Sequence, residues 1–344
     1  MKRVAIESGS TDAKRQAVDE PAGKALGVAK HYNARGNSST QERDSSEIVH
    51  LKKLNNWVKA VLIIKYTPPS GAHVLDLACG KGGDLNKWER RQVGLYAGVD
   101  IAHESIRDLM QRYNGEGASQ KVMKFPTRLA SGDCWAVTLR DAFADVAPFD
   151  VCSCQFALHY SFNTEERAKQ AMKNVSEALR PGGYFIGTLP DANVIVQKLR
   201  AAPGLEFGNS VVNIAFGPES ASKKFPSIRP FGIEYVFCLN DAVDCPEWLV
   251  PFPVLQKLAS EYGLELELKQ NFHEFINKES EPHAETMRRV LGPQGLAEIS
   301  ADEWEAAYLY LVFVFRKVGQ GGPRKRPMRH VWEPLEDRDI IRLK

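Results

Sequence analysis

No stretch of the chain is apolar over a length that could cross a bilayer. The longest apolar run, Ala306 to Phe315, is bounded by Glu305 and Arg316, about half of the roughly 20 residues a transmembrane helix needs. The N-terminus also lacks the apolar core of a signal peptide. Six cysteines, at 79, 134, 152, 154, 238 and 245, form no C-x-x-C pair. With at least two of them inside expected strands, a reducing compartment is expected. Charge of one sign is lacking too: 45 basic residues against 43 acidic ones leave a net +2. A generally basic surface is excluded, and any nucleic-acid contact has to come from a local cleft. No internal repeat is visible among the 344 residues, a length that suits one large domain with insertions or two domains.

Two further absences sit in the most informative stretch, His73 to Asp100. Gly80 and Gly82 are followed by Leu85 where a dinucleotide fingerprint needs its third glycine. Lys81 is followed by glycine where a phosphate loop needs Ser or Thr. What is present is a short apolar run (Val74, Leu75, Leu77) carrying Asp76, a turn with Gly80, Gly82 and Gly83, a helix, and a second strand closed by Asp100. An acid about twenty residues past a strand–glycine–helix turn suits a grip on ribose hydroxyls. With dinucleotides and triphosphates set aside, S-adenosylmethionine is the best ligand for this turn. An ordinary βα turn would show the same glycines.

Along the chain, residues 1–30 are polar and aperiodic and are expected to form a flexible arm. A helix is expected from Asp44, where Asp44 and Glu47 resemble a capping box, with Ile48, Leu51, Leu54, Val58, Val61 and Leu62 on one face. Asn55, Asn56 and Lys59 lie on the other. Glu104–Tyr113 reads as a helix, and Ser131-Gly132-Asp133 places an acid at a strand end. Phe149–Leu158 reads as a buried strand with Gln155, Phe156, His159 and Tyr160 clustered at its end, where open α/β sheets bind ligands. Helix 165–179 should stop at Arg180-Pro181-Gly182-Gly183, before strand 184–189. Residues 203–250 read as an insertion with one strand, Ile233–Leu239, building a substrate wall. Pro253–Tyr262 reads as a helix, and Leu264–Leu268 and Ala306–Phe315 as the last strands. Residues 318–344 are expected to be a mobile basic tail whose PRKRP suits a nuclear localisation signal or a solvated terminus.

Several separated blocks resemble the mRNA cap guanine-N7 methyltransferases: HYN at 31–33, LNNWVKAVLI at 54–63, LDLACGKGGDLNKW at 75–88, QFALHYSF at 155–162, LRPGGYFIGTLPD at 179–191 and EYVFCL at 234–239. The resemblance spans residues 31–317. It implies an α/β class I, Rossmann-like methyltransferase fold, a seven-stranded mostly parallel sheet with its last strand antiparallel and a cap-binding insertion at 203–250. It implies S-adenosylmethionine as cofactor, S-adenosylhomocysteine as product, capped RNA as substrate, and no metal or membrane. It also implies a nuclear location, with other capping enzymes or RNA polymerase II as candidate partners. A class I methyltransferase acting on another RNA position or a small molecule would explain the glycine turn but not blocks 54–63 and 155–162.

Carried across block by block, the resemblance assigns Lys59, the backbone at Ala78, Asp100, Asp133, Gln155 and Tyr160 to the cofactor. Ala78 is a departure, since the family usually has glycine there. Asn55, Asn56, Lys81, Lys87, Arg112, His159, Glu247 and Tyr310 are assigned to the cap, with Phe156, Pro190 and Tyr235 as walls. Glu247 and Tyr310 rest on the shorter matches CPEWLVPF and AYLYLVFVFRK. In this reading Lys59 meets the methionine carboxylate, Asp100 the ribose and Asp133 the adenine amino group. Lys81, Lys87 and Arg112 meet the triphosphate bridge, and Glu247 reads N1–H and the 2-amino group of guanine. His159, Phe156 and Tyr310 position the base, and no residue serves as acid or base.

Overall fold

The short apolar runs are parallel strands buried on both faces, as their composition requires. The computed structural model describes residues 45–116, 120–225, 228–319 and 332–344, with Gly23 and Gly27. The 1–30 arm (those two glycines aside), the HYN block and the PRKRP cluster lie outside them. Strand β1 (His73–Leu77) is buried at every position, as is β2 (Leu95–Asp100); β4 (Phe149–Gln155) is buried at all but its last residue. With β3 (Thr127–Ser131), β5 (Leu179–Pro190), β10 (Leu264–Asn271), β11 (Tyr310–Lys317) and β12 (Ile340–Arg342) they form an eight-stranded sheet ordered β10-β11-β5-β4-β1-β2-β3-β12. Only β11 runs against its neighbours; every other pairing is parallel.

Helices cover both faces. On one, α1 (Val49–Tyr66) and α3 (His103–Asn114) bury Leu51, Leu54, Trp57, Val58, Ile106 and Leu109. On the other, α4 (Glu165–Ala178) and α6 (Phe252–Glu261) bury Ala168, Met172, Val175, Leu255 and Leu258. A short helix, α2 (Leu85–Arg90), follows the glycine turn, and α5 (Ala192–Ala201) leads into the insertion. Helices α7 (Phe272–Glu279), α8 (Ala284–Leu291) and α9 (Ala301–Ala307) lie between β10 and β11. No helix among the described residues is long and apolar enough to cross a membrane, and all six cysteines are free.

Five expectations need correction. The sheet has eight strands rather than seven, because β12 comes from the tail read as mobile; Ile340 is 5% exposed, and its apolar side chain gives the segment a reason to dock. The insertion is a four-stranded antiparallel sheet of β6 (Glu206–Gly208), β7 (Val212–Phe216), β8 (Glu234–Leu239) and β9 (Val243–Trp248), where one strand was expected. The three missed strands are short or half-exposed, and β9 carries Pro246. Strand β4 stops at Gln155 rather than Leu158, since Phe156 turns left-handed at φ 56° and Leu158–Asn163 coils into a 3₁₀ helix. Arg180-Pro181-Gly182-Gly183 does not separate helix from strand but belongs to β5, shifting its register against β4. Ala306 and Ala307 are helical, because a Ser300/Glu303 capping box starts α9 there, and β11 begins only at Tyr310.

The start of α1 also differs. Its N-cap, Ile48, has no capping side chain; instead Oε1 of Glu303, from α9, accepts from the N–H groups of His50 (3.1 Å) and Leu51 (2.9 Å). A carboxylate 2% exposed thus satisfies two otherwise unpaired donors and sits at the positive end of the helix. Glu303→Ala should lower unfolding stability by about 2 kcal/mol, since it strands both donors. Glu303→Gln, which keeps an acceptor, should recover part of that loss. Urea denaturation of the three proteins checks this, and equal midpoints would count against the cap.

Candidate active site

The sheet reverses its winding between β1 and β4, and the crevice beyond their C-terminal ends is where such sheets bind ligands. A cavity there is lined by Ala78, Gly80, Asp100, Ile101, Ser105, Asp133, Cys134, Trp135, Gln155, Phe156, Ala157, Tyr160, Asn163, Arg167 and Trp248. Five of the six residues assigned to the cofactor are in this set; Lys59 is not.

Asp100 is built as an acceptor. Gly80 N–H donates to its Oδ2 and Ala102 N–H to its Oδ1, each at 2.8 Å. Burial raises its carboxyl above the ordinary range, and the two N–H bonds oppose that rise. One lone pair on each oxygen remains for a pair of hydroxyls. Ala78 shows why glycine is usual there: its φ is 52°, a left-handed conformation costing an L-residue roughly 1–2 kcal/mol. Phe156 pays a similar strain at the end of β4, where its N–H donates to the carbonyl and hydroxyl oxygens of Thr188, both at 3.0 Å. Gln155 donates to Ser153 Oγ at 3.1 Å and accepts from Thr188 Oγ1 at 3.2 Å.

Asp133 lines the cavity with its carboxylate already engaged. Arg167 grips it in a two-pronged pair at 2.7 and 3.2 Å, and Trp135 N–H donates at 3.0 Å. Any adenine amino group would share Asp133 with Arg167. Arg167 was not anticipated; it stands on an amphipathic helix where it reads as a solvated residue, and only the fold turns it inward. Asn163, at the end of a 3₁₀ turn, and Trp248, at the end of β9, were not anticipated either. Asn163 Oδ1 and Arg167 Nε are buried without a hydrogen-bond partner, so the cavity wall holds both an acceptor and a donor unused by the protein.

Lys59 instead pairs with Asp84 at 2.9 Å, and Lys87 pairs with the same carboxylate at 2.5 Å while donating to Asn56 Oδ1 at 3.0 Å. Burial works against the charge on Asp84, yet the two ammonium groups outweigh it and hold its carboxyl well below the ordinary range. Burial pulls Lys87 down, opposed by Asp84. Lys81 pairs with Asp108 at 2.8 Å, and Arg112 lies one helical turn beyond Asp108 on α3. Asn55, on the α1 turn beside Asn56, keeps a buried Oδ1 without a partner.

The remaining assigned residues meet in an aromatic recess. Tyr310 opens β11 opposite Pro190, the last residue of β5. Its ring packs edge-on against Phe156 at 5.1 Å and near Phe272 and Phe237 at 5.6 and 6.1 Å. Phe237 neighbours Tyr235 at 6.5 Å, and Tyr235 pairs across the insertion sheet with Glu247, donating its hydroxyl to Oε2 at 2.9 Å. Glu247 is 4% exposed; its Oε1 lies 3.3 Å from His159 Nε2. That is a close contact without hydrogen-bond alignment, and both ring nitrogens of His159 are buried and unbonded. Tyr160 packs tilted against His159, ring centroids 4.2 Å apart, and contacts Cys245 Sγ through its hydroxyl at 3.3 Å. The structure therefore brings the base-side residues together, and Lys59 and Lys87 into a second cluster on Asp84 between α1 and α2, while Lys81 pairs with Asp108 on α3. Among the described residues no group of three or more His, Cys, Asp or Glu could hold a metal.

A sheet with β11 reversed, a glycine turn after β1 and an acid closing β2 define a class I S-adenosylmethionine-dependent methyltransferase. Residues 15–318 match the model of the mRNA (guanine-N(7))-methyltransferase domain. Named mRNA cap guanine-N(7) methyltransferases resemble the chain closely. That of Oryza sativa is 57% identical over 87% of this chain and 83% of its own length, that of Arabidopsis thaliana 56% identical over 88% and 84%, and that of Schizosaccharomyces pombe 40% identical over 85% and 82%. The chain belongs to the mRNA (guanine-N(7))-methyltransferase family.

Beneath the glycine turn, Asp76 is a further buried carboxyl. Burial, with the Asp84 carboxylate adding to it, pushes it up to about 7, against hydrogen bonds from Tyr96 Oη (3.1 Å) and Trp88 Nε1 (3.4 Å). An aspartate in the unfolded chain titrates near ~4. Between about pH 4 and 7 the folded chain therefore keeps a proton the unfolded chain has lost. This contribution is full below that window and lost as pH rises through it. Asp76→Asn, which retains an acceptor, should gain on the parent by more than about 1 kcal/mol between pH 5 and pH 8. Urea melts at both pH values test it; a pH-independent difference would rule the shift out.

Proposed function

We propose that the chain transfers a methyl group from S-adenosylmethionine to N7 of the terminal guanine of a GpppN RNA cap. The observation that carries the base assignment is Glu247, a buried carboxylate held by Tyr235 inside an aromatic recess. A carboxylate accepts from N1–H and the 2-amino group of guanine together, and finds no such pair of donors on adenine.

The cavity residues fit the cofactor. Asp100 offers both oxygens to ribose hydroxyls, the orphaned Asn163 Oδ1 offers an acceptor, and Gly80 leaves backbone free for close approach. Asp133, Gln155, Ala78 and Tyr160 complete the wall. Bound there, S-adenosylmethionine supplies an electrophilic methyl on a sulfonium whose departure needs no proton. Lys59 is the residue for its carboxylate, in exchange for part of its contact with Asp84.

The chain's own work is positioning. Guanine N7 already carries a lone pair, so no side chain has to take a proton. Phe156, Tyr310 and Pro190 wall the base, and His159 holds it from the Glu247 side. Aromatic faces and a carboxylate tolerate positive charge moving onto the purine. Holding the nucleophile in near-attack geometry supplies the rest. Lys81, Lys87 and Arg112, with Asn55 and Asn56, form the side for the triphosphate bridge, so binding should weaken with salt. A nuclear role, with capping enzymes or RNA polymerase II as partners, accords with this chemistry.

The test is incubation with labelled S-adenosylmethionine and GpppG- or GpppA-capped RNA, followed by digestion. 7-Methylguanosine should appear, and neither uncapped RNA nor GTP should be modified comparably. Glu247→Ala should reduce kcat/KM for capped RNA by about 10- to 100-fold, the equivalent of about 1–3 kcal/mol. An unchanged value removes Glu247 from base recognition. His159→Asn should lower activity while leaving the shape of the pH–rate profile unaltered. Loss of a limb near the histidine pKa would instead make His159 a proton carrier.

A further inference from the structure

Residues 332–344 lie past the family match, which ends at residue 318, yet they bond to both elements flanking the Asp100–Asp133 side of the cavity. On the α3 side, Asn114 Nδ2 donates to the carbonyl of Leu335 and Leu335 N–H donates to Asn114 Oδ1, each at 2.9 Å. Farther along, Asp337 pairs with Arg107 at 3.3 Å, and Arg342 approaches Nε2 of His103 to 2.7 Å. On the sheet side, Ile340, Ile341 and Arg342 pair in parallel with Leu129, Ala130 and Ser131.

One residue on, Leu343 N–H donates to the carbonyl of Ser131 at 3.0 Å. Its side chain covers Gly132, where a Cβ would stand 2.6 Å from that of Leu343; Gly132 also has φ +148°. Gly132 N–H donates to the carbonyl of Asp100 at 2.9 Å. The turn Ser131-Gly132 is therefore gripped by β2 on one side and by the C-terminal segment on the other. The next two residues, Asp133 and Cys134, line the cavity. Without β12, β3 would be an edge strand with unpaired backbone groups, and Asp133 would project from its frayed end.

We propose that the C-terminal segment is a positioning element of the methyl-donor site: Leu343 and the Asn114–Leu335 clamp set the Ser131–Asp133 turn, and so the affinity for the nucleoside. The cap recess, built from Phe156, His159, Pro190 and strands β8, β9 and β11, has no described contact with it. The proposal rests on reading the cavity as the S-adenosylmethionine site.

The experiment uses the full chain carrying Leu343→Ser with Asn114→Ala, and measures S-adenosylhomocysteine and GpppG binding by calorimetry alongside steady-state kinetics. The double variant should bind S-adenosylhomocysteine about fivefold more weakly, about 1 kcal/mol. KM for S-adenosylmethionine should rise in step, with kcat and GpppG affinity unchanged. Leu343→Met with native Asn114 should bind like the parent, and so should Arg338→Ala, whose side chain pairs only with Glu336 at 3.0 Å among the described contacts. Unchanged S-adenosylhomocysteine affinity would overturn the proposal. So would an equal weakening of both ligands, which marks general loosening. A parent that binds no S-adenosylhomocysteine would instead refute the reading of the cavity itself.

Discussion

The carboxylate of Asp84 is the contact on which the arrangement of both ligand sides depends. It leaves the glycine turn at the start of α2, is almost buried, and neutralises Lys59 from α1 and Lys87 from its own helix. An isolated ion so buried would be costly, and two lysines so near would repel; the three together are mutually tolerable. The pairing fixes α1 against α2, and with them Asn55, Asn56 and the exposed end of the lysine cluster. A ligand anion entering here meets two cations already shared with one acid. Its approach is a redistribution of existing partners rather than the capture of free charges.

A second constraint is the strain at the ends of β1 and β4. Ala78 and Phe156 are both left-handed and both line the same cavity. Regular parallel strands on either side of the switch point over-determine these two turns, which is the circumstance in which such conformations persist. The extra bend at Phe156 also ends β4 early, so that His159 and Tyr160 leave on a 3₁₀ turn toward the insertion instead of continuing along the sheet.

Much of this was legible in the sequence, for identifiable reasons. β1, β2, β4 and the first six residues of β11 are short, mostly apolar runs buried on both faces, the pattern of strands inside a covered sheet. The apolar stripe of α1 follows a 3.6-residue period, so Leu51, Leu54, Val58, Val61 and Leu62 declare themselves as core in the sequence. The residues that escaped were those whose role depends on a distant partner. Arg167 is an ordinary helix residue until Asp133 meets it, and Glu303 caps a helix some 250 positions away in sequence. Short strands such as β6 and β9 carry too few apolar residues to declare themselves, and β12 is three residues in a polar tail. Ala78 was seen as a departure from glycine, but only the backbone angle says what the departure costs.

The reversed strand β11 has a consequence for how the enzyme comes into being. Because it runs against β5, its first residue rather than its last reaches the ligand end of the sheet, and Tyr310 closes the recess begun by Phe156 and Pro190. The contact of Tyr310 with Phe156 joins residues more than a hundred positions apart, so a long loop has to close before the recess is complete. On the ribosome, β1 to β4 can be laid down early, but the base pocket stays open on the Tyr310 side until nearly the whole chain has been made. A nascent or prematurely ended chain would keep the strands that carry Asp100 while lacking both the recess and the C-terminal segment that holds the Ser131–Asp133 turn, so neither ligand site is finished until the chain is.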